Sequence, residues 1–313
     1  MLDGVILLWF LLTTLSVAFV AIDIRATPES AVMKWGFVLV TLFTGPFGAF
    51  LYVLGCREPL PGLHEAYVAT PWRQALGSAM HCVAGDGVGI LVGAVVAALL
   101  SLPPLADFLL EYVLGFMFGW SIFQALFMRD MAGGSYGKAL KTTFIPELTS
   151  MNCLMSGMAI VSMVGKAHVA GGDHPSSPAF WFIMSMALLV GLCAAYPMNY
   201  WLVANKLKHG MTTVRPKGTT PAMGAMPEMA GMTRMSGMTE MSGMAGMASG
   251  GEMATPKGAH IDEHMNAPMD EQMDEQMDMR PKVSTKMIAF VVGLSFVILT
   301  AGVAIGVILS QTS

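Results

Sequence analysis

Apolar residues run along this chain in long blocks separated by short polar punctuation. A helix that crosses the ~30 Å hydrocarbon layer of a bilayer needs about 20 such residues at a ~1.5 Å rise. Seven stretches meet or approach that length, at about 4–22, 32–54, 87–102, 105–128, 150–169, 179–204 and 287–309. Pro103 and Pro104 cut the third short and force a tight connection into the fourth. Trp181 and Trp201 mark the two ends of the sixth, ~30 Å apart along a helix, as an aromatic belt at two water interfaces requires. The first stretch is too long for the apolar part of a signal peptide, and its only early charge is Asp3, so it reads as a span. The pattern predicts an all-α integral membrane protein, a polytopic helical bundle of about seven spans. Residues 1–78 would hold two transmembrane helices and their connecting loop, 79–206 a four-helix membrane core, and 287–313 a C-terminal transmembrane helix.

Composition agrees with the pattern. Charged residues make up 12% of the chain and hydrophobic ones 54%, against roughly a quarter charged in soluble domains. A net charge of −4 without a basic, aromatic-interleaved patch excludes nucleic acid as a partner and leaves the lipid bilayer. The four cysteines, Cys56, Cys82, Cys153 and Cys193, form no CxxC pair, so neither a disulfide framework nor a zinc site of ordinary spacing is expected. Gly85, Gly89 and Gly93 recur every four residues, and Gly302 and Gly306 form a GxxxG. Small residues at this spacing let helices approach closely in lipid, within the chain or between copies in an oligomer. With seven alternating spans, Arg57, Arg73, Arg129, Lys138 and Lys141 would share the N-terminal side, against Arg25, Lys34 and Lys166 opposite. The positive-inside bias then places the N-terminus and the long loop in the cytoplasm of a bacterial inner membrane.

Residues 207–286 form a different material. Apart from Met, their large apolar residues are Leu207, Val214, Ile261 and Val283, with no aromatic. Such a segment cannot bury enough surface to offset its conformational entropy and is expected to be a disordered, Met-rich loop. Its methionines are in strict register: Met223, Met226, Met229, Met232, Met235, Met238, Met241, Met244 and Met247 recur every third residue. In a polyproline II conformation, with three residues per turn, all would line one edge. Met265, Met269, Met273 and Met277 follow at a spacing of four, embedded in Asp and Glu, with His260 and His264 just upstream. The thioether is a neutral soft donor that needs no deprotonation, and soft sulfur selects Cu(I), and by extension Ag(I), over hard cations. Nearby His and carboxylates could extend this to Cu(II). The bland alternative is an unselected repeat or an oxidant sink, but hydrophobic selection alone would have admitted Leu and Val as well.

A few polar residues interrupt the apolar core. Asp86 lies beside the glycine stripe, and Glu147 follows Pro146 at what reads as the opening of the fifth span. Met151, Met155 and Met158 share a helical face with Glu147, so one carboxylate and three thioethers could form a path for a soft cation. The competing readings are a carboxylate that complements the helix dipole, a hydrated interfacial Asp86 and adaptable methionine packing. Glu111 is expected to snorkel or cap, and His64, His168, His174 and His209 to be partnerless surface histidines in loops. Walker, dinucleotide-binding and serine-elbow motifs are absent, so an enzyme is not expected.

His81–Cys82 followed by Gly85–Asp86, the segment from Glu147 to Met158, Phe180–Trp181–Phe182, and Tyr196–Pro197–Met198–Asn199–Tyr200–Trp201–Leu202 resemble a bacterial membrane family, domain of unknown function 4396, over about 79–211. The resemblance implies a helical membrane core and no established activity. The chain departs from that pattern in its Met-rich loop and in a Glu at 147 where Asp is expected. The resulting expectation is a membrane protein that binds Cu(I) or Ag(I) for copper tolerance, delivery or transport, with other copper-handling proteins as partners. The alternative is a structural or accessory subunit, or a carrier of an unrelated solute, with the loop as a passive tether.

Overall fold

The computed structural model describes residues 2–60, 63–129, 135–210 and 282–312. In chain order its helices are α1 (Leu2–Asp23), α2 (Ala31–Thr44), α3 (Pro46–Gly55), α4 (His64–Val68), α5 (Pro71–Leu99), α6 (Pro104–Arg129), α7 (Tyr136–His168), α8 (Pro178–Ala204) and α9 (Thr285–Ser310). Serines start four of them: Ser30, Ser135, Ser177 and Ser284 each accept a backbone N–H of the first turn. Six helices, α1 and α5 to α9, are long and apolar enough to cross a membrane. The polytopic helical bundle expected from the hydropathy pattern is the observed fold.

The stretch 32–54 is not a span. At Gly45, with φ +60°, the chain reverses, and α3 folds back along α2. The Phe37 and Tyr52 rings meet at 5.6 Å, and a Cβ at Gly48 would strike the backbone of Thr41. Both open ends of this hairpin sit beside the end of α1. Lys34 Nζ donates to the Arg25 carbonyl at 3.1 Å, Tyr52 donates to Asp23 at 2.8 Å, and Arg57 grips both Asp23 oxygens at 3.0 Å. At ~1.5 Å per residue, neither arm reaches across ~30 Å of hydrocarbon. Hydropathy counted one apolar block here and could not see the fold-back that a glycine before a proline permits.

Removing one crossing changes the topology. Arg73 at the start of α5 donates to Leu54 at the end of α3, at 3.2 Å. Lys166, near the end of α7, meets Asp107 at 2.8 Å and Glu111 at 3.0 Å near the start of α6. Trp9 of α1 donates to Ser185 of α8, both near their helix starts, and Lys282 N donates to the Asn205 carbonyl beyond the end of α8. Leu2 and Ser310 therefore share one face, while Gly210 and Lys282, which flank the Met-rich segment, lie at the other. The N-terminus and those flanks are on opposite faces, not on the same one as seven spans implied. Among the described residues, Arg25, Lys34, Arg57, Arg73, Arg129, Lys138, Lys141, Lys206, Lys208, Lys282 and Lys286 lie at or lead in from the flank face. Lys166 alone lies at the face of the termini.

The interior of the bundle is built from α5, α7 and α8, with α1, α6 and α9 more exposed around them. The glycine stripes are used within the chain. Gly89 and Gly93 let α5 approach the backbone of α6 at Leu114 and Glu111, and Gly302 and Gly306 seat α9 on α7 at Ser156 and Ala159.

Candidate functional site: a charged centre inside the bundle

Four elements bring charge into the interior. On α5, Cys82 and Asp86 stand one turn apart on the same face as the glycine stripe. On α7 the helix runs through Pro146, so Glu147 lies in mid-helix instead of the first turn that the sequence suggested. A carboxylate there gains nothing from the helix N-terminus. Residues Phe118–Gln124 of α6 form a π-helical segment, a local widening common at functional sites. Its last residue, Gln124, points inward and is buried.

The fourth contribution lies beyond α8. Lys206 takes a positive φ of 57°, and the Leu207 and Lys208 amides fold back onto the Leu202 carbonyl. This reversed helix end turns residues 207–210 into the bundle, where Lys208, His209 and Gly210 are buried. Gly210 packs on the Gln74 side chain, whose amide donates to the Val68 carbonyl at 2.8 Å. Residues 207–210, expected to belong to the loop, are therefore part of the bundle. His209 is a buried residue whose imidazole burial holds below the ordinary histidine range, not a surface histidine.

Lys208 Nζ donates to Cys82 Sγ at 2.7 Å, to Glu147 Oε2 at 3.2 Å and to Asn199 Oδ1 at 2.9 Å. Gln124 Nε2 donates to the same thiol and the same carboxylate oxygen, each at 3.0 Å, while Cys82 donates to Glu147 Oε2 at 3.1 Å. Asn199 Nδ2 closes the network on Ser150 Oγ at 2.7 Å. Burial disfavours the Lys208 charge, but the thiol and carboxylate facing it hold its pKa above the ordinary lysine value.

Asp86 is the second carboxylate, and its residue is 0% exposed, which removes the hydrated interfacial reading. Asp86 Oδ1 and Glu147 Oε1 converge on the Cα of Gly119, where any side chain would overlap the first and press on the second. Among the described residues, neither Asp86 oxygen nor Glu147 Oε1 has a hydrogen bond meeting ordinary geometry. One lysine balances one carboxylate. The second calls for one more positive charge, a proton or a cation, in a place where water cannot screen it.

Met151, Met155 and Met158 are buried, as their shared face with Glu147 requires. Met151 stands one turn beyond Glu147 on α7, and its methyl lies against Gly115, which also borders the Asp86 backbone carbonyl. Met158 instead packs on Gly191 of α8. Nearby, His81 lies between the Phe123 and Phe127 rings at 5.6 and 5.2 Å, and neither ring nitrogen has a hydrogen-bond partner among the described residues. Glu111 does not snorkel: it is buried and paired with Lys166. His64 is buried and bonded to Glu29 at 2.9 Å. His168 and His174 are exposed, but neither lacks a contact: His168 meets the Val164 carbonyl and His174 lies 3.6 Å from Asp173.

Met223, Met226, Met229, Met232, Met235, Met238, Met241, Met244, Met247, His260, His264, Met265, Met269, Met273 and Met277 lie outside the described residues. Sequence reasoning gave Gln124, Asn199, Lys208 and Cys82 no part in the site. The available signal was a polar side chain inside an apolar block for Gln124 and Asn199. Lys208 carried none, because only the chain reversal brings it inward.

Residues 71–208 match a protein-family model described as domain of unknown function (DUF4396). No curated protein and no solved structure matches the chain. The matched segment ends at Lys208 and contains every member of the charged centre, while the Met-rich register lies beyond it.

Proposed function

We propose that this multi-pass membrane protein handles a soft monovalent metal ion, Cu(I) or Ag(I), as a binding and transfer protein and not as an enzyme. The Met-rich segment captures the ion through several thioethers at once, and the charged centre is the point in the bundle where a cation exchanges. The observation that carries this reading is the second buried carboxylate at Gly119, which has no lysine of its own among the described residues. A monovalent cation supplies the missing charge, and the Cys82 thiol and Met151 thioether nearby favour a soft one. Lys208 stands directly before the Met-rich stretch in sequence. An ion held between Asp86 and Glu147 would lie beside the Lys208 ammonium and not in its place, which links capture to the bundle.

The positive-inside bias, applied to six spans, puts the basic face and the Met-rich segment in the cytoplasm and both termini outside, in a bacterial inner membrane. Copper tolerance or delivery, with soluble copper-handling proteins as donors or acceptors, is the corresponding role. A second reading draws on the Lys208–Glu147 pair itself: a network already balanced there could simply staple four segments together in an accessory subunit, with the Met-rich segment as a tether.

Titration of a peptide spanning 221–247 with Cu(I) against a competing chelator tests capture. Competition at micromolar copper, weakened when the methionines are scrambled among the same small residues, is expected. No competition would remove capture and leave the accessory reading.

A further inference from the structure

Three loops meet where α1, α2 and α3 have their ends on the basic face. Glu29 comes from the α1–α2 connection, Cys56 follows the last residue of α3, and His64 opens α4. One donor atom from each lies within 4.8 Å of the others. Cys56 is 0% exposed and His64 4%, so these groups are held in the protein and not scattered on its surface. No spacing in the sequence announces the cluster, because its members reach one another only through the α2–α3 fold-back.

We propose that Glu29, Cys56 and His64 form a binding site for a borderline divalent cation of the Zn(II) class. Thiolate, imidazole and carboxylate are the three side-chain donor types of zinc sites, and three protein ligands leave one position open. With metal–donor distances of ~2.0–2.3 Å, tetrahedral ligands stand ~3.3–3.7 Å apart. A group already within 4.8 Å is therefore within about 1.5 Å of that spacing. One thiolate beside a borderline imidazole and a hard carboxylate suits Zn(II) better than Cu(I), and the thiolate weighs against Ca(II) and Mg(II).

A simple His64–Glu29 ion pair beside a buried thiol is the competing account. Two observations favour a ligand. His64 Nδ1 has no partner among the described residues although it is buried, and such groups are normally satisfied. The Cys56 thiol, free and buried, is brought to the same point. The site differs in donors and position from the thioether register, and it lies outside the matched family segment. It therefore stands or falls independently of copper capture.

Cobalt(II) is the probe, because it accepts the same tetrahedral donors and reports thiolate ligation through a charge-transfer band. Full-length protein in detergent should bind one equivalent with that band, and Zn(II) should bleach it. Cys56→Ser should abolish the band with helix content and monodispersity retained, while exposed Cys193→Ser should leave it intact. Loss of second-sphere partners alone lowers metal affinity about 10–100-fold, so His64→Gln and Glu29→Gln should weaken binding at least about 10-fold. Deleting 221–247 should leave the band unchanged. Absence of the band in the native protein, its survival in Cys56→Ser, or its loss on that deletion would each overturn the proposal.

Discussion

Lys208 delivers an ammonium to a position where Glu147 and Cys82 replace the water it leaves behind. The side chains of Lys208 and Glu147 are 3% and 0% exposed, so screening is negligible and removal of one partner strands the other. Breaking such a buried pair costs about 3–5 kcal/mol, because an uncompensated charge remains. Lys208→Met should therefore lower unfolding stability in detergent by about that amount, and Glu147→Gln in the same chain should restore most of it. Additive losses in this double-mutant cycle would mean that the two groups do not sense each other. Asp86 and Glu147 were legible in the sequence as charges in apolar surroundings. Their partners were not, because Gln124 needed the π-helical segment and Lys208 needed the left-handed turn at Lys206 to point inward.

Helices that meet through glycine have little room for anything else. A Cβ at Gly306 would lie 2.8 Å from the Ala159 carbonyl, whereas nothing lies within 4 Å of one at Gly293 on the same helix. Gly306→Leu should lower thermal stability by about 1–3 kcal/mol, the range for overpacking. Gly293→Leu should stay within about 0.5 kcal/mol of the native protein, as open positions do. Equal effects in a thermal-unfolding comparison would show that α9 does not dock as described. The six long helices were visible as apolar blocks, and the stripes at Gly89, Gly93, Gly302 and Gly306 as packing surfaces. The α2–α3 hairpin was not, since two short arms and one span have the same hydropathy. What separates them is long-range contact, such as Phe37 with Tyr52 and Tyr52 with Asp23.

Among the described residues, six long apolar helices place Leu2 and Ser310 on one face, and the positive charge of those residues gathers on the other. Single cysteines introduced at Leu2 and Ser310 should react with an impermeant thiol reagent in intact cells, and one introduced at Lys282 should not. Labelling of Leu2 and Lys282 from the same side would restore the seventh crossing. On the proposed function, a soft cation would reach Glu147 and Asp86 from the face to which the Met-rich segment is attached. Proteoliposomes loaded with a Cu(I)-responsive dye test that claim most directly. Native protein should carry Cu(I) across the bilayer, Glu147→Gln combined with Lys208→Met, which strands no charge, should abolish the flux, and deletion of 221–247 should reduce it at low copper. Flux no greater than in protein-free vesicles, or flux unaffected in that double variant, would contradict the account.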